Sequence, residues 1–222
     1  MRLLDVFSGS QQLRRYFESK GWDVLSIDNK KYRNSHPDTL IIDFLEFNYK
    51  SYDTSYFDIL FFGLPCDAFS KASGGHHFTS SHEPKTEFAH KSIELLNHTL
   101  NCLAYFEKSI FYIENPSGGL CNHHAIRHRI QHNELFMYRF FMSQFNFPTP
   151  KQTDIFTNNP TLVLFEKYYR KNGIYNNKTF DCLSENQRHT YTTEFCKFIF
   201  DWSITHLTRV QDTPIPNIKN II

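Results

Sequence analysis

The chain has 222 residues, 21 % of them charged, and a formal net charge of +1, which excludes a protein that coats nucleic acid through overall positive charge. No apolar run is long enough to span a membrane, so we expect no membrane partner. The five cysteines contain no Cys-x-x-Cys pair, and no apolar leader follows Met1. These features predict a reducing, intracellular setting and a single domain over residues 1–222.

The start of the chain predicts a strand, a tight turn, a helix and a second strand. Residues 2–7 form a short apolar run that ends at a turn around Gly9, and residues 11–20 have apolar side chains at helical spacing. Residues 22–27 are again apolar and end at Asp28. An acid about 20 residues beyond such a turn is typical of nucleotide-binding units, where it accepts the ribose hydroxyls. Because the turn has only one glycine, the pattern favours a ligand without a pyrophosphate.

A cysteine follows the most apolar strand of the chain. Short strands are predicted at residues 39–43 and 57–63, and the second ends in a Gly-Leu-Pro turn that leads to Cys66. The carboxyl ends of parallel strands are where open α/β sheets carry their chemistry. A free cysteine is more often a packed core residue, so the nucleophile hypothesis requires a partner group. The polar loop at residues 71–84 has the composition of an active-site loop.

The second half of the chain supplies a carboxylate in an equivalent position. We predict a helix at residues 86–108, a strand at 110–113, a short basic helix at 123–132, strands at 135–141 and 153–157 with a hairpin partner at 161–165, and a helix at 192–207. Glu114 follows the strand at 110–113 and precedes a Pro and Gly break. The basic helix is rich in histidine, but without a neighbouring cysteine or carboxylate cluster we expect no metal site.

Three motifs in order resemble those of the cytosine-5 DNA methyltransferases, in particular the short phage-type and virus-type members. Residues 63–70, Gly-Leu-Pro-Cys-Asp-Ala-Phe-Ser, resemble the catalytic motif Pro-Pro-Cys-x-x-Phe-Ser. Residues 113–116, Ile-Glu-Asn-Pro, resemble the Glu-Asn-Val motif, which short members often carry as Glu-Asn-Pro. Residues 151–158, Lys-Gln-Thr-Asp-Ile-Phe-Thr-Asn, resemble the segment Lys-Pro-Thr-Asp-Ile-Trp-Thr-Asn of those members.

The resemblance implies an α/β, Rossmann-like, S-adenosylmethionine-dependent methyltransferase fold with a mostly parallel seven-stranded sheet flanked by helices. It implies S-adenosyl-L-methionine as the cofactor, with Asp28 on the ribose hydroxyls and Asp43 on the adenine amino group. The residues that it assigns to cofactor binding are Asp5, Phe7, Gly9, Ser10, Asp28, Asp43 and Gly63.

The reaction explains why a cysteine and a carboxylic acid are needed together. Carbon C5 of cytosine is a poor nucleophile until a thiolate adds at C6, which makes C5 enamine-like. Protonation of N3 by a carboxylic acid whose pKa is raised by burial makes that addition easier. Cys66 and Glu114 follow two strands that we expect to be adjacent and parallel, so both would reach one ring.

The implied partner is double-stranded DNA with the target cytosine flipped out of the duplex. Such families close a loop over the flipped base, and residues 71–84 occupy the corresponding position. Further phosphate contacts would come from a wider basic cluster that includes Arg139. The residues predicted to contact nucleic acid are Ser70, Lys71, Ser73, Arg127, Arg129 and Thr153.

Departures from the family pattern leave two alternatives open. The double proline before the cysteine is Leu64-Pro65, the arginines of the Gln-x-Arg-x-Arg motif are absent after Gln152, and residues 160–190 form only a small polar insertion instead of a target-recognition domain. The chain would therefore also fit an RNA cytosine-5 methyltransferase. A catalytically inactive, cofactor-binding homologue that acts as a DNA-binding or partner subunit is the other alternative; loss of the arginines favours it, and retention of Cys66 and Glu114 disfavours it.

Overall fold

A computed structural model of the chain describes residues 1–32, 35–70, 73–161, 183 and 190–212. The strands are β1 Arg2–Val6, β2 Asp23–Asp28, β3 Leu40–Ile41, β4 Ile59–Gly63, β5 Ile110–Pro116, β6 Phe136–Phe141 and β7 Gln152–Thr157. The α-helices within the described ranges are α1 Gln12–Glu18, α2 Glu87–Tyr105, α3 His124–Gln131 and α4 Thr193–Asp212.

The strands form one seven-stranded sheet in the order β3-β2-β1-β4-β5-β7-β6. Strand β7 is antiparallel to both of its neighbours, and the other pairings are parallel. The chain moves outward from β1 to β3 and then starts again at β4 on the other side of β1. Ligands of open α/β sheets bind at this kind of reversal, outside the carboxyl ends of the strands. The predicted mostly parallel α/β sheet is confirmed.

Helices cover both faces of the sheet with cores rich in phenylalanine. One core packs Leu4 and Phe62 against α2, and the other packs Leu3 and Phe61 against α1 and α4. The apolar stripe predicted for the last helix is correct, because Phe195, Phe198, Ile199 and Trp202 are all fully buried. None of the helices in the described ranges has both the length and the apolar character that a membrane span requires.

Two of the predicted strand boundaries are wrong. Strand β5 does not break at Glu114 but continues to Pro116, because residues Thr153–Ile155 of β7 pair with it there. Strand β3 has two residues where five were predicted, since Asp43 accepts a hydrogen bond from the Leu45 N–H (3.1 Å) and turns the chain into a short 3₁₀ helix. The hairpin partner predicted at residues 161–165 lies outside the described residues beyond residue 161.

Candidate active site

The loop that carries Cys66 is held at both ends by hydrogen bonds. Cys66 follows the end of β4, and its carbonyl accepts hydrogen bonds from the N–H groups of Phe69 (3.0 Å) and Ser70 (2.8 Å). Before the cysteine, the fully buried Asn115 side chain donates to the Leu64 carbonyl at 3.1 Å. The Asn of the Glu-Asn-Pro motif, to which sequence analysis gave no role, therefore fixes the entry to the cysteine loop.

Close contact with the segment after β5 fixes the exit of the same loop. Ser70 and Gly118 form an isolated antiparallel bridge, and the Gly119 N–H donates to the Phe69 carbonyl at 2.6 Å. A Cβ atom at Gly118 would lie 2.1 Å from the Phe69 carbonyl oxygen, so only glycine allows this approach. Ser73 donates its hydroxyl to the Ser70 carbonyl at 2.8 Å. Lys71, predicted to contact nucleic acid, lies outside the described residues.

The Glu114 carboxyl group lies beside this loop and is almost completely buried. Glu114 is 5 % exposed and pairs with Gly63 in the parallel register of β5 and β4. Its Oε2 accepts a hydrogen bond from the Tyr191 hydroxyl at 2.8 Å. Its Oε1 lies 3.9 Å from the Lys151 ammonium group and has no hydrogen-bond partner in the described part of the chain.

The surroundings of Cys66 favour the neutral thiol. Burial raises the pKa of the Cys66 thiol to about 11, the carboxylates of Asp67 and Glu114 add to this shift, and the positive charge of Lys151 opposes it. The thiolate is the nucleophilic form of cysteine. A nucleophilic role for Cys66 would therefore require positive charge at the site, and Lys151 supplies such charge. No role was predicted for Lys151, although the motif at residues 151–158 includes it.

A pocket opens at the carboxyl ends of β1 and β2, next to the cysteine loop. It includes three of the residues predicted to bind the cofactor, Phe7, Asp28 and Asp43. Pro65, which directly precedes Cys66, forms part of its wall. The full lining is Phe7, Ile27, Asp28, Asn29, Ile42, Asp43, Phe44, Pro65, Lys91 and Leu95. Mixed apolar walls with two carboxylates suit a ligand that has an aromatic base and hydroxyl groups.

Asp28 holds the turn after β1 in an unusual backbone conformation. Its Oδ2 accepts from the Gly9 N–H (2.8 Å) and its Oδ1 from the Lys30 N–H (3.2 Å). Phe7, Gly9 and Gln11 all have φ between 48° and 59°, which is costly for residues other than glycine. Such strain is concentrated at binding sites. Because each carboxylate oxygen can accept more than one hydrogen bond, Asp28 keeps acceptor capacity for ribose hydroxyls.

Asp43 is already engaged on the far wall of the pocket. Its Oδ1 accepts from the Leu45 N–H and its Oδ2 from the Lys91 ammonium at 3.0 Å. The hydrogen bond from Lys91, followed by that from Leu45, lowers the pKa of the Asp43 carboxyl. Asp43 is therefore an ionised acceptor at the pocket wall.

The other residues predicted to bind the cofactor do not line the pocket. Asp5 shares a face of β1 with Leu3, under α1, and burial raises the pKa of its carboxyl to about 8, with a further contribution from Asp28. Ser10 accepts a hydrogen bond from Arg15 through its carbonyl, and Gly63 lies against the Tyr191 hydroxyl. Cofactor contacts of Asp5, Ser10 and Gly63 stay predictions.

The residues predicted to contact nucleic acid have very different environments. Arg127 is exposed on α3, whereas Arg129 on the same helix pairs with Glu134 at 3.3 Å. Thr153 is fully buried in β7, so its position does not support the predicted contact with nucleic acid. The structure thus leaves Arg127 as the exposed candidate on α3.

Arg139 takes part in an ion pair between the last two strands. Its guanidinium donates to both oxygens of the buried Asp154 carboxylate, at 2.7 and 2.9 Å. Asp154 also accepts from the Ser117 hydroxyl at 2.5 Å, just beyond the end of β5. This ion pair ties β6 and β7 to the segment that follows Glu114. The Arg139 side chain is 43 % exposed, and its contact with a phosphate stays a prediction.

Comparison with solved structures gives the class of the fold. The chain superposes on the crystal structure of S. pombe Dnmt2 methyltransferase with a TM-score of 0.51 and 16 % identity, over 71 % of this chain and 49 % of that one. The Entamoeba histolytica methyltransferase EhMeth gives a TM-score of 0.50 and 14 % identity, over 71 % and 52 % of the two chains. The chain therefore has the Rossmann-like fold of the S-adenosylmethionine-dependent methyltransferases, as predicted.

Sequence comparison gives the family. The family model for C-5 cytosine-specific DNA methylase matches residues 1–148, and the chain belongs to that family, as its motifs indicated. A probable DNA (cytosine-5)-methyltransferase of Frog virus 3 (isolate Goorha) is 28 % identical over 126 residues, which are 54 % of this chain and 55 % of the relative. The match thus spans about half the length of that relative. Lys151 and Tyr191, which face Glu114, lie beyond the residues that the family model matches.

Proposed function

We propose that the chain is a DNA cytosine-5 methyltransferase that uses S-adenosyl-L-methionine and forms a covalent adduct between Cys66 and the target base. The observation that carries the proposal is the common position of Cys66 and Glu114. Glu114 lies opposite Gly63, the last residue of β4, and the chain continues from Gly63 to Cys66. Pro65 connects the cysteine loop to the wall of the pocket at the ends of β1 and β2.

The pocket residues fit an S-adenosylmethionine molecule. Asp28 would accept the ribose hydroxyls, and Phe7 would pack its ring against the adenine. Asp43, held by Lys91, would accept the adenine amino group. When bound, the cofactor supplies an electrophilic methyl group to C5 of the base.

The protein's own residues would prepare the base. The Cys66 Sγ forms a bond to C6, and the electron pair of the C5–C6 double bond moves to C5. Glu114 gives a proton to N3, so that the ring does not build up negative charge during this addition. After methylation, loss of the C5 proton to solvent expels the Cys66 thiolate from C6, and return of the N3 proton to Glu114 restores the neutral aromatic ring. Lys151 would stabilise the Cys66 thiolate before attack.

The family and the viral relative support DNA as the substrate. A cytosine in a duplex reaches such a site only after it is flipped out, which costs a few kcal/mol. The loop from Ser73 to Pro84 leads away from the cysteine loop and is the candidate to cover the flipped base. We further propose that residues 1–222 form one methyltransferase domain, in which residues 160–190 replace a target-recognition domain. A small insertion of this kind would read a short recognition sequence.

Trapping with 5-fluorocytosine tests the proposal. Fluorine at C5 blocks the final elimination, so duplex DNA that carries this base and S-adenosylmethionine should give a complex that survives denaturation. The adduct should form with the parent chain and be absent with Cys66→Ser. Cys121→Ser is the matched control, because Cys121 is, like Cys66, a half-buried free cysteine, and its thiol contacts the Gly118 carbonyl (3.3 Å) and Asn122 (3.8 Å).

Each outcome has a distinct meaning. An adduct that persists in Cys66→Ser contradicts the role of Cys66 as the nucleophile. An adduct on fluorocytosine-containing RNA but not on DNA replaces the proposed substrate with RNA. Cofactor binding without an adduct on either nucleic acid contradicts the proposed methyltransferase activity and favours the alternative of a catalytically inactive, cofactor-binding homologue.

A further inference from the structure

The two oxygens of the Glu114 carboxyl group have different environments. Oε2 accepts a hydrogen bond from the hydroxyl of Tyr191 at 2.8 Å, whereas Oε1 lies 3.9 Å from the Lys151 ammonium group and is buried without a hydrogen-bond partner among the residues that the structure describes. A buried polar atom without a partner is rare in a folded protein and calls for an explanation. Its position beside the cysteine loop indicates that Oε1 is the oxygen reserved for the substrate.

The Tyr191 hydroxyl is held firmly in its place. Its ring packs between Phe61 (ring centroids 5.7 Å apart) and Phe195 (5.0 Å). A Cβ atom at Gly63 would lie 2.8 Å from the Tyr191 oxygen, so a larger residue at the end of β4 would push the hydroxyl away. Burial of the hydroxyl and the nearby Glu114 charge raise the pKa of Tyr191 well above its ordinary value, so the phenol keeps its proton and donates it in the hydrogen bond.

We propose that Tyr191 is a positioning residue for Glu114, and that the segment leading into α4 thereby completes the catalytic site. A hydrogen bond donated to Oε2 directs the transferable proton to Oε1 and fixes the plane of the carboxyl group. The inference rests on the proposed function and deepens it. It also assigns a role to a part of the chain beyond residue 148, where the family match ends.

A second tyrosine, which lies on the same strand as Glu114, provides a matched control. Tyr112 lies two residues before Glu114 on β5 and, like Tyr191, joins the sheet to the α4 region. Its buried hydroxyl accepts hydrogen bonds from Ser203 (2.9 Å) and Asn159 (3.1 Å). Tyr112→Phe therefore removes a buried hydroxyl without removing a hydrogen bond to Glu114.

The test measures how fast the covalent adduct forms with 5-fluorocytosine DNA, per folded molecule and over a range of DNA concentrations. We expect Tyr191→Phe to slow this step at saturating DNA by about 10-fold to 100-fold, the range that a misplaced catalytic group costs. The DNA concentration that gives half of the maximal rate should be unchanged, because the hydroxyl acts on the Glu114 carboxyl group and not on binding. Cofactor binding should also be unchanged. Tyr112→Phe should lower the melting temperature and change neither the saturating rate nor the half-saturating DNA concentration.

A saturating rate for Tyr191→Phe that equals the rate of the parent chain would overturn the inference, as would an equal loss of rate in both tyrosine variants. A double-mutant cycle with Glu114→Met, read by thermal unfolding, gives a second test that needs no activity. Non-additive changes in stability are expected for Tyr191 with Glu114, and additive changes would overturn the contact. If the parent chain forms no adduct on DNA or RNA, the proposed function fails, while this cycle still decides whether Tyr191 positions Glu114.

Discussion

Gly63 and Glu114 lie directly opposite each other where β4 and β5 pair in parallel. The chain continues from Gly63 into the cysteine loop, so this one register places the Cys66 loop beside the Glu114 carboxyl group. The same glycine leaves room for the Tyr191 hydroxyl, which donates to Glu114. The proposed nucleophile, the proposed general acid and the tyrosine proposed to orient the acid therefore meet at a single pair of strand ends.

Replacing Glu114 with glutamine should remove general acid catalysis while preserving an acceptor for Tyr191. Such catalysis typically contributes ~10²–10⁴-fold, so Glu114→Gln should be slower by this factor in methyl transfer, with nearly normal binding of DNA and cofactor. Glu107→Gln, at the exposed amino end of β5, is the control. If Glu114→Gln lowers the melting temperature and leaves the rate per folded molecule unchanged, Glu114 is only a structural acceptor.

Removing the Asp28 carboxylate should weaken S-adenosylmethionine binding. Asp28→Ala would cost hydrogen bonds to a charged acceptor, on the order of 1.5–3 kcal/mol, and would also release the turn at Gly9. Titration calorimetry measures the effect, with Asp38→Ala as the exposed control (side chain 80 % exposed). Asp43→Asn should be milder, since Lys91 shields that carboxylate. Unchanged affinity of Asp28→Ala for S-adenosylmethionine would show that Asp28 does not bind the ribose.

Removing the charge of Lys151 should make Cys66 less reactive. The Lys151 charge lowers the pKa of the Cys66 thiol against the larger effect of burial. In Lys151→Met that pKa should rise, and the thiolate fraction near pH 8 should fall by up to about tenfold, because one pKa unit changes it tenfold. Iodoacetamide alkylation of Cys66, followed by mass spectrometry, reports this fraction. Lys108 is exposed at the opposite end of β5, so Cys66 should be alkylated in Lys108→Met at the same rate as in the parent chain. Equal alkylation rates in all three chains would exclude an electrostatic role for Lys151.

Adding one methyl group at Gly118 should disturb the cysteine loop. The new Cβ would lie 2.1 Å from the Phe69 carbonyl oxygen, and relief of such an overlap typically costs ~1–3 kcal/mol. We expect Gly118→Ala to unfold at lower urea and to lose adduct formation. Gly119→Ala is the adjacent control, because its Cβ would meet the same oxygen at an ordinary 3.5 Å. Equal stability of the two variants in urea would show that the cysteine loop can shift at Ser70 at little cost in the free energy of unfolding.

The buried Asp5 should make the fold less stable as pH rises. Burial raises its carboxyl pKa from the ordinary 3.8 to about 8, so between these values the folded chain holds a proton that the unfolded chain releases. Stability therefore falls with increasing pH across this window. Asp5→Asn lacks this proton, so its stability relative to the parent should rise from pH 4 to pH 8 in urea titrations. Asp23→Asn, exposed on β2, should show no such trend; a flat difference for Asp5→Asn would contradict the shift.

Sequence patterns were most informative where the signal is local. Short apolar runs ending in Gly, Pro or an acid located β1, β2 and β4, and helical spacing located α2 and α4, because these patterns depend on side chains a few residues apart. Cys66, Glu114 and Asp28 were identified as candidates for the same reason, as polar groups directly after apolar strands. The motif order was sufficient to name the family.

Contacts between distant parts of the chain were decided only by the tertiary structure. Strand β5 continues past Glu114 because β7 pairs with it, and Arg139 forms an ion pair with Asp154 because the two residues lie opposite each other on neighbouring strands. Tyr191 reaches Glu114 from 77 residues away. The secondary-structure propensity of a segment depends on its local sequence and cannot predict such partners, because hydrogen bonds and ion pairs over this separation form only once the sheet has brought the segments together. The sequence by itself therefore determined the family and the candidate reacting groups, and the packing of the sheet decided which residues contact these groups, because those contacts join segments far apart in the chain.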